Sequence, residues 1–352
     1  MRNLGFARRG RKGDTRQKSG QFGQLVAHRI TLLALEGCFA SSITGAIDLF
    51  NIANVVAQRL EREPVFDWQA LSLNGRPVRA SSGYSLTVDG ALENAPPARV
   101  VMIPPFGSPH PEQLVAAVKR HAALLPWLVG QYESGATLTA SCSGSFLLAE
   151  SGLLDGKPAT TSWWLADAFG KRYPKVNLDL ARMVTDGGRL ICSGSGMSHL
   201  DLALHLIERI AGRDIARACA RYTVLDDQRR SQAPFIILNH ARNYDPLITK
   251  AEKWLKANLG KPIGMEELAA ALAVSPRTLA RRFRHATGDS PQIFLQKLRV
   301  EAGKALLENT ALRMDQILGR VGYDDDSAFR RLFRKHTSLS PREYRKRFGV
   351  RN

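Results

Sequence analysis

The chain has 352 residues, 44% hydrophobic and 23% charged, an ordinary composition for about two globular domains that excludes collagen, coiled-coil rods and wholly disordered chains. No run of about 18 uncharged apolar residues occurs, so a membrane-spanning helix is not expected. The net charge of +18 is unevenly placed: residues 1–24 hold 7 basic and 1 acidic side chain, residues 245–352 hold 22 and 12, and the long middle holds a nearly balanced 21 and 19. A near-neutral body with a basic C-terminal domain is the electrostatic pattern of a polyanion binder.

In chain order, residues 1–24 lack the apolar stretch of a secretion signal and read as a basic disordered tail or as the product of a start codon placed too far upstream. Their Arg-rich, acid-poor composition leaves a transit peptide as the alternative. The four cysteines, Cys38, Cys142, Cys192 and Cys219, are dispersed, with no C-x-x-C pair and no His at metal spacing. Neither a disulfide framework, a metal site nor a cofactor is expected, and a reducing cytoplasm is the natural compartment.

From residue 26 short apolar runs alternate with stretches of helical period. Residues 26–35 read as a strand and 43–60 as a helix; 66–73 and 99–104 are further strands, the second buried. Residues 112–135 form a helix that Pro126 interrupts. ATLTA (136–140) is a short strand running straight into Ser141-Cys142-Ser143-Gly144, after which SFLLAESGLL returns to helical spacing. Strands alternating with helices of this length imply βαβ units and a parallel sheet covered on both faces. A strand, a tight turn carrying Cys142 and a helix starting near Ser143 make a nucleophile-elbow arrangement. A thiol there is reactive when a base stands beside it.

ASCSGSFLLAESGLLDGKPATTSWW (140–164) and GSGMSHLDLALHLIERIAG (194–212) resemble the DJ-1/PfpI, or class I glutamine amidotransferase-like, domain over about residues 25–215. The resemblance implies a flavodoxin-like α/β fold for residues 25–221. Catalytic members often carry His directly after the elbow Cys, and regulators and enzymes alike often carry it within a T-T-H-W stretch; here those places are Ser143 and Ser162, and none of the eight histidines falls at a matching position. The implied reading is a non-catalytic elbow reused as a ligand pocket. A cysteine-dependent hydrolase or glyoxalase, a redox or electrophile sensor using Cys142, and a domain kept for folding and dimerisation are the alternatives. Ligands of such sheets bind at the carboxyl ends of the strands. That places Glu36, Cys38, Phe39, Pro105 and Gly107 around Cys142 and Ser143, with Trp163 and Ser195 completing the set. Trp163 and Trp164 serve either as core or as walls of the site; where one lines the site beside Glu36, an amine or cation is favoured, and the resemblance implies amino-acid-like or quaternary amine effectors.

Between 222 and 244 the periodicity lapses into polar, Pro-containing sequence, which reads as a linker to a domain at 245–352. Residues 265–285 then read as an amphipathic helix with Leu268 and Leu272 on one face, a break at Val274-Ser275, and a second helix packed by Leu279 and Phe283. Ser275 is a natural N-cap and Pro276 suits the first helical position. The pattern recurs at 314–336, with Asp326 placed as the equivalent of Ser275, and SPQIFLQKLRVEAGKALLEN (290–309) between them is a long helix of about 28 Å. Two heads on such a rod match successive major grooves, about 34 Å apart.

The paired units, the connecting helix and the closing SPREYRKRF (340–348) resemble the AraC/XylS DNA-binding domain, an all-α tandem helix-turn-helix. From this resemblance Pro276, Arg277, Thr278, Arg281 and Arg282 in the first unit would face double-stranded DNA. Ser327, Arg330, Arg331 and Arg334 would do so in the second. The two-domain combination is similar to the GlxA group of regulators. It implies a bacterial transcriptional regulator, an activator by family habit, with promoter DNA, RNA polymerase, a small-molecule effector and a second copy of itself as partners, located at the nucleoid.

Overall fold

The computed structural model describes residues 27–107, 110–237 and 245–350; the expectation for the tail at 1–24 lies outside them. Strands β1 (His28–Leu33), β2 (Phe66–Ser72), β5 (Gly90–Ala91), β6 (Val100–Ile103), β7 (Thr137–Ser141), β10 (Val184–Asp186) and β11 (Leu190–Ser193) form one sheet in the order β10-β11-β7-β6-β1-β2-β5. All neighbours pair parallel except β10 with β11. Two small ladders flank it, β3 (Val78–Arg79) with β4 (Ser85–Leu86) and β8 (Pro158–Ala159) with β9 (Asn177–Leu178). Every residue of β6 and β11 is buried, the condition of a parallel strand covered on both faces.

The covering comes from α1 (Ala40–Arg59), α6 (Ser198–Ala211) and α7 (Arg213–Thr223), packed on one another, and from α2 (Pro111–Arg120), α3 (Leu125–Glu133) and α4 (Ser145–Glu150), with the short α5 (Ala166–Arg172) beside them. By length and composition α1 is apolar enough to cross a membrane. Its inner face, including Ile43, Leu49, Phe50 and Val56, lies instead in the core of the sheet domain. The helix read at 112–135 is two helices. The chain breaks at His121–Leu124, and Pro126 sits in the first turn of α3, where its missing N–H is tolerated, rather than inside a helix.

The C-terminal domain is helical throughout, comprising α8 (Pro246–Ala257), α9 (Met265–Ala271), α10 (Pro276–Thr287), α11 (Pro291–Asn309), α12 (Met314–Val321), α13 (Asp326–Thr337) and α14 (Pro341–Phe348). It has two cores. Leu255, Leu268, Leu279 and Phe283 pack around Phe294, Leu295 and Leu298 in the first half of α11. Ile317, Val321, Phe329, Phe333 and Tyr344 pack around Val300 and Leu307 in the second half. The units repeat at an offset of 50 residues: Leu279 and Phe283 match Phe329 and Phe333, and the N-cap Ser290 matches the N-cap Ser340. Ser275 therefore corresponds to Asp325, whose carboxylate accepts from the Ser327 N–H at 2.8 Å, not to Asp326.

The two units are also braced directly. Arg299 on α11 donates to the Lys261 carbonyl at 2.9 Å and lies 5.2 Å over the Tyr323 ring. Gly322, at φ +74°, closes α12 against Leu259 and Arg299 in a space that no side chain could share. Gly303 faces Phe329, where a Cβ would stand 2.8 Å from the ring Cζ. A Gly303→Val substitution is expected to cost about 1–3 kcal/mol through overpacking, read as a lowered thermal midpoint of the C-terminal domain; an unchanged midpoint would show that Phe329 can move aside.

Candidate nucleic-acid interface and sensing site

The outward faces of α10 and α13 are set by what each helix buries. Leu279 and Phe283 turn inward, which leaves Arg277, Arg281 and Arg284 on the exposed stripe, with Pro276 exposed at the first turn. Fifty residues on, Ser327, Arg331 and Arg334 are exposed at the matching positions, with Arg330 beside them. Thr278 is partly occupied by the cap, its hydroxyl accepting from Ser275 Oγ at 2.9 Å. Arg282 points elsewhere. It donates to both carboxylate oxygens of Asp245, at 2.8 and 2.5 Å, and Asp245 is the N-cap of α8. The position matching Arg282 in the second unit is Leu332, packed against that unit's core. Arg282, expected to face DNA, is paired with Asp245 in this structure and braces α10 on α8. Arg330 is held by Asp326 at 2.8 Å, and Arg334 lies 3.9 Å from Glu343. Arg277, Arg281, Arg284 and Arg331 are exposed and outside every ion pair among the described residues.

In the sheet domain the residues expected at the strand ends do converge. Glu36 accepts from the Arg79 N–H at 3.1 Å, the Phe39 N–H donates to the Pro105 carbonyl at 3.0 Å, and Gly37 and Gly107 approach each other with their backbones. Cys38 is buried beneath this loop. β7 ends at the elbow, where Cys142 is held at φ +55°, a conformation costly for a residue with a Cβ and characteristic of built sites. Gly144 makes the turn possible, since a Cβ there would stand 2.7 Å from the Pro104 carbonyl.

The hydroxyls around the elbow are mostly committed to the scaffold. Ser143 Oγ donates to the Phe106 carbonyl at 2.8 Å and accepts from its N–H at 3.0 Å. The Cys142 carbonyl accepts from Ser145 Oγ at 2.7 Å and Thr161 Oγ1 at 2.9 Å. The thiol itself meets Ser162 Oγ at 2.6 Å, and the N–H groups of Ser143 and Gly196 also point to it. Burial pushes this thiol up despite those hydrogen bonds. No imidazole or carboxylate bonds to it among the described residues, so nothing there maintains a thiolate. His199 lies beside the backbone of Gly196 and Ser41, with Nδ1 buried and unbonded, and burial drives it down from 6.5 to about 4. It is neutral at ordinary pH, and the side-chain partner of the thiol is Ser162 rather than this imidazole. Trp164 packs on the domain core and meets Trp163 edge-on at 5.2 Å, while Trp163 stays at the partly exposed margin. Phe39 and Met197 add exposed apolar surface on the two flanking loops. A separate groove of about 680 Å³ runs along β10, α6 and residues 226–230, and Cys142 is not among its walls.

The DJ-1/PfpI family model matches residues 50–209 and a helix-turn-helix domain model matches residues 268–347. The HTH-type transcriptional regulator CdhR of Pseudomonas aeruginosa is 31% identical over 319 residues, which cover 89% of this chain and 90% of CdhR. The chain belongs to the AraC-type regulators with a DJ-1/PfpI domain. GbdR of the same organism is 29% identical across 90% of this chain and 83% of its own, and GlxA of Rhizobium meliloti 26% across 91% and 96%. All three carry regulator names, and the chain is a DNA-binding regulator with a DJ-1/PfpI sensing domain rather than an enzyme.

The stretch expected as a linker holds a residue that packs behind the elbow. Residues 222 and 223 end α7, and residues 230–233 add to the sheet domain: Ser231 bridges Arg182, and the Gln232 N–H donates to the Ala181 carbonyl. The Gln232 side chain is buried, donating to Thr160 Oγ1 at 2.9 Å and the Thr161 carbonyl at 3.1 Å, and accepting from Ser195 Oγ at 3.1 Å. Ser195 is thus engaged with Gln232. A polar residue in a polar stretch carries no signal of such burial. Residues 238–244 lie outside the described residues.

Two measurements follow from these environments. An alkylating reagent should label Cys142 no faster than Cys219, whose thiol burial raises to about 11; preferential labelling of Cys142 would restore the electrophile-sensor reading. Because the unfolded chain protonates His199 below 6.5 and the folded chain only near 4, stability present above pH 6.5 is lost as pH falls towards 4. The loss is on the order of 3 kcal/mol, and the acid limb of the unfolding curve should flatten in His199→Gln.

Proposed function

We propose that this regulator binds a small amine or amino-acid-like metabolite at the strand ends of its sheet domain and reads a bipartite operator with α10 and α13. One observation supports the reader: two copies of one helical unit, 50 residues apart and hung on a shared α11, present matching arginines at Arg281 and Arg331. At about 1.5 Å per residue, the 19 residues of α11 span roughly 28 Å, a length suited to adjacent major grooves. For the effector, the Glu36 carboxylate at an exposed loop and the partly exposed Trp163 margin favour a cationic nitrogen. Activation through RNA polymerase, homodimerisation on DNA and residence at the nucleoid complete the reading, by analogy with the family. The effector regulates by preferring one arrangement of sensor and reader, since a ligand indifferent to both shifts nothing.

The test is binding to a duplex selected from genomic DNA by the parent protein, titrated against salt. Arg281→Ala and Arg331→Ala should each weaken binding, by about 1–3 kcal/mol if the lost contact is to a base, or with a salt slope reduced by about 1 if it is to a phosphate. Arg282→Ala should lower thermal stability and leave the salt slope alone, because its partner is Asp245. Unchanged affinity in both Arg281→Ala and Arg331→Ala would remove the two-headed reader.

A further inference from the structure

Residues 231–237 touch both domains, and Ser231 touches the two at once. On the sensor side Gln232 is 1% exposed, and its carboxamide is bonded from both ends to the wall behind the elbow. Its nitrogen serves Thr160 and the Thr161 carbonyl, the residues directly before Ser162, whose hydroxyl meets the Cys142 thiol. Its oxygen takes Ser195, next to Gly196, whose N–H points to the same thiol. Gly194 leaves the room: a Cβ there would lie 2.6 Å from Gln232 Oε1. Ser231 Oγ donates to the Ala181 carbonyl of the sheet domain at 2.8 Å and on the reader side meets Ser338 Oγ at 3.1 Å, and Ser338 is the C-cap of α13. Phe235 meets Phe348 edge-on at 5.4 Å under the Arg347 guanidinium. The Ile236 carbonyl accepts from the Lys304 ammonium at 2.5 Å. Lys304 is a buried cation in the middle of α11, with Glu301 at 2.9 Å as its other partner, so losing the Ile236 carbonyl would leave it under-satisfied.

We propose that this segment is a strap coupling the sensing site to the second helix-turn-helix unit, with Gln232 as its latch on the sensor and Lys304 as its anchor on the reader. An effector that hydrogen-bonds Ser195 at the strand ends competes with the Gln232 carboxamide oxygen for that hydroxyl. Withdrawal of Gln232 frees Ser231–Ile237 and with them the C-terminal end of α13 and α14. This deepens the regulatory reading proposed above and rests on it for its biological purpose. The coupling itself is a property of the chain without DNA or effector.

Coupling free energies are reciprocal, so loosening either end must loosen the other. The test is amide hydrogen exchange of the full-length protein, alone, in Gln232→Ala, Gln232→Glu and Lys304→Met. Gln232→Glu keeps the size and one acceptor but loses both amide donors, which guards against a result due to a cavity. Both Gln232 variants should speed exchange around Ser338, Tyr344 and Val350 by roughly tenfold, and Lys304→Met should do the same for Met183 and Gln232, whose N–H groups hold residues 230–232 to the sheet. Effects confined to the domain that carries the substitution, or crossing in one direction only, would overturn the strap. A second measurement addresses its use: operator affinity in Gln232→Glu and Lys304→Met should move in the same direction, by about tenfold. Crossing exchange with unchanged affinity would remove the regulatory role while leaving the reader intact, whereas loss of DNA binding in Arg281→Ala and Arg331→Ala is read independently of either.

Discussion

The C-terminal domain depends on one helix being shared between two hydrophobic cores. The first half of α11 gives Phe294, Leu295 and Leu298 to one core, and the second half gives Val300 and Leu307 to the other. Neither unit could bury its apolar face without it, so the spacing between the recognition helices is a consequence of core packing rather than of a tether. A flexible joint would spread the two arginine stripes over many separations and spend binding energy on ordering them. Arg299 and Gly322 add a second brace where the two units meet, which makes the pair of heads one rigid object.

The sheet domain keeps the geometry of a reactive elbow while lacking its chemistry. A left-handed Cys142, a Gly144 pressed against Pro104 and strand ends converging on one point are all present. What surrounds the thiol is a set of hydroxyls and N–H groups, with burial as the dominant influence on its ionisation. A thiol stabilised in its neutral form is a hydrogen-bonding surface, and the serines and threonines around it form a polar network whose members are nearly all engaged. Networks of this sort are sensitive to a newcomer, because an added ligand must take a partner from a group that already has one. In this protein one of those groups, Gln232, comes from the segment that leads to the reader.

The legibility of these features in the sequence followed their locality. Leu279 with Phe283 and Phe329 with Phe333 announced two helices because a four-residue spacing is a property of a single helix, and Ser275 announced its cap for the same reason. The elbow was readable because strand, turn and helix are consecutive. Errors arose where a neighbour decided the outcome. Pro126 has the look of a break, but the chain already turns at His121–Leu124, and Asp326 has the look of the match to Ser275, but Asp325 makes the cap. Arg282 sits among arginines that face outward, yet Asp245, 37 residues earlier, claims it.

The amino-acid sequence alone determined the two-domain plan, the repeated helical unit, the basic face and the missing histidines at the elbow, because periodicity, capping, charge and residue identity are all written along the chain. Only the tertiary structure decided which arginines are free, that the elbow thiol is buried against Ser162, and that a glutamine from the apparent linker closes the back of the site. Those outcomes depend on partners tens of residues apart, whose meeting is set by how the sheet and helices pack.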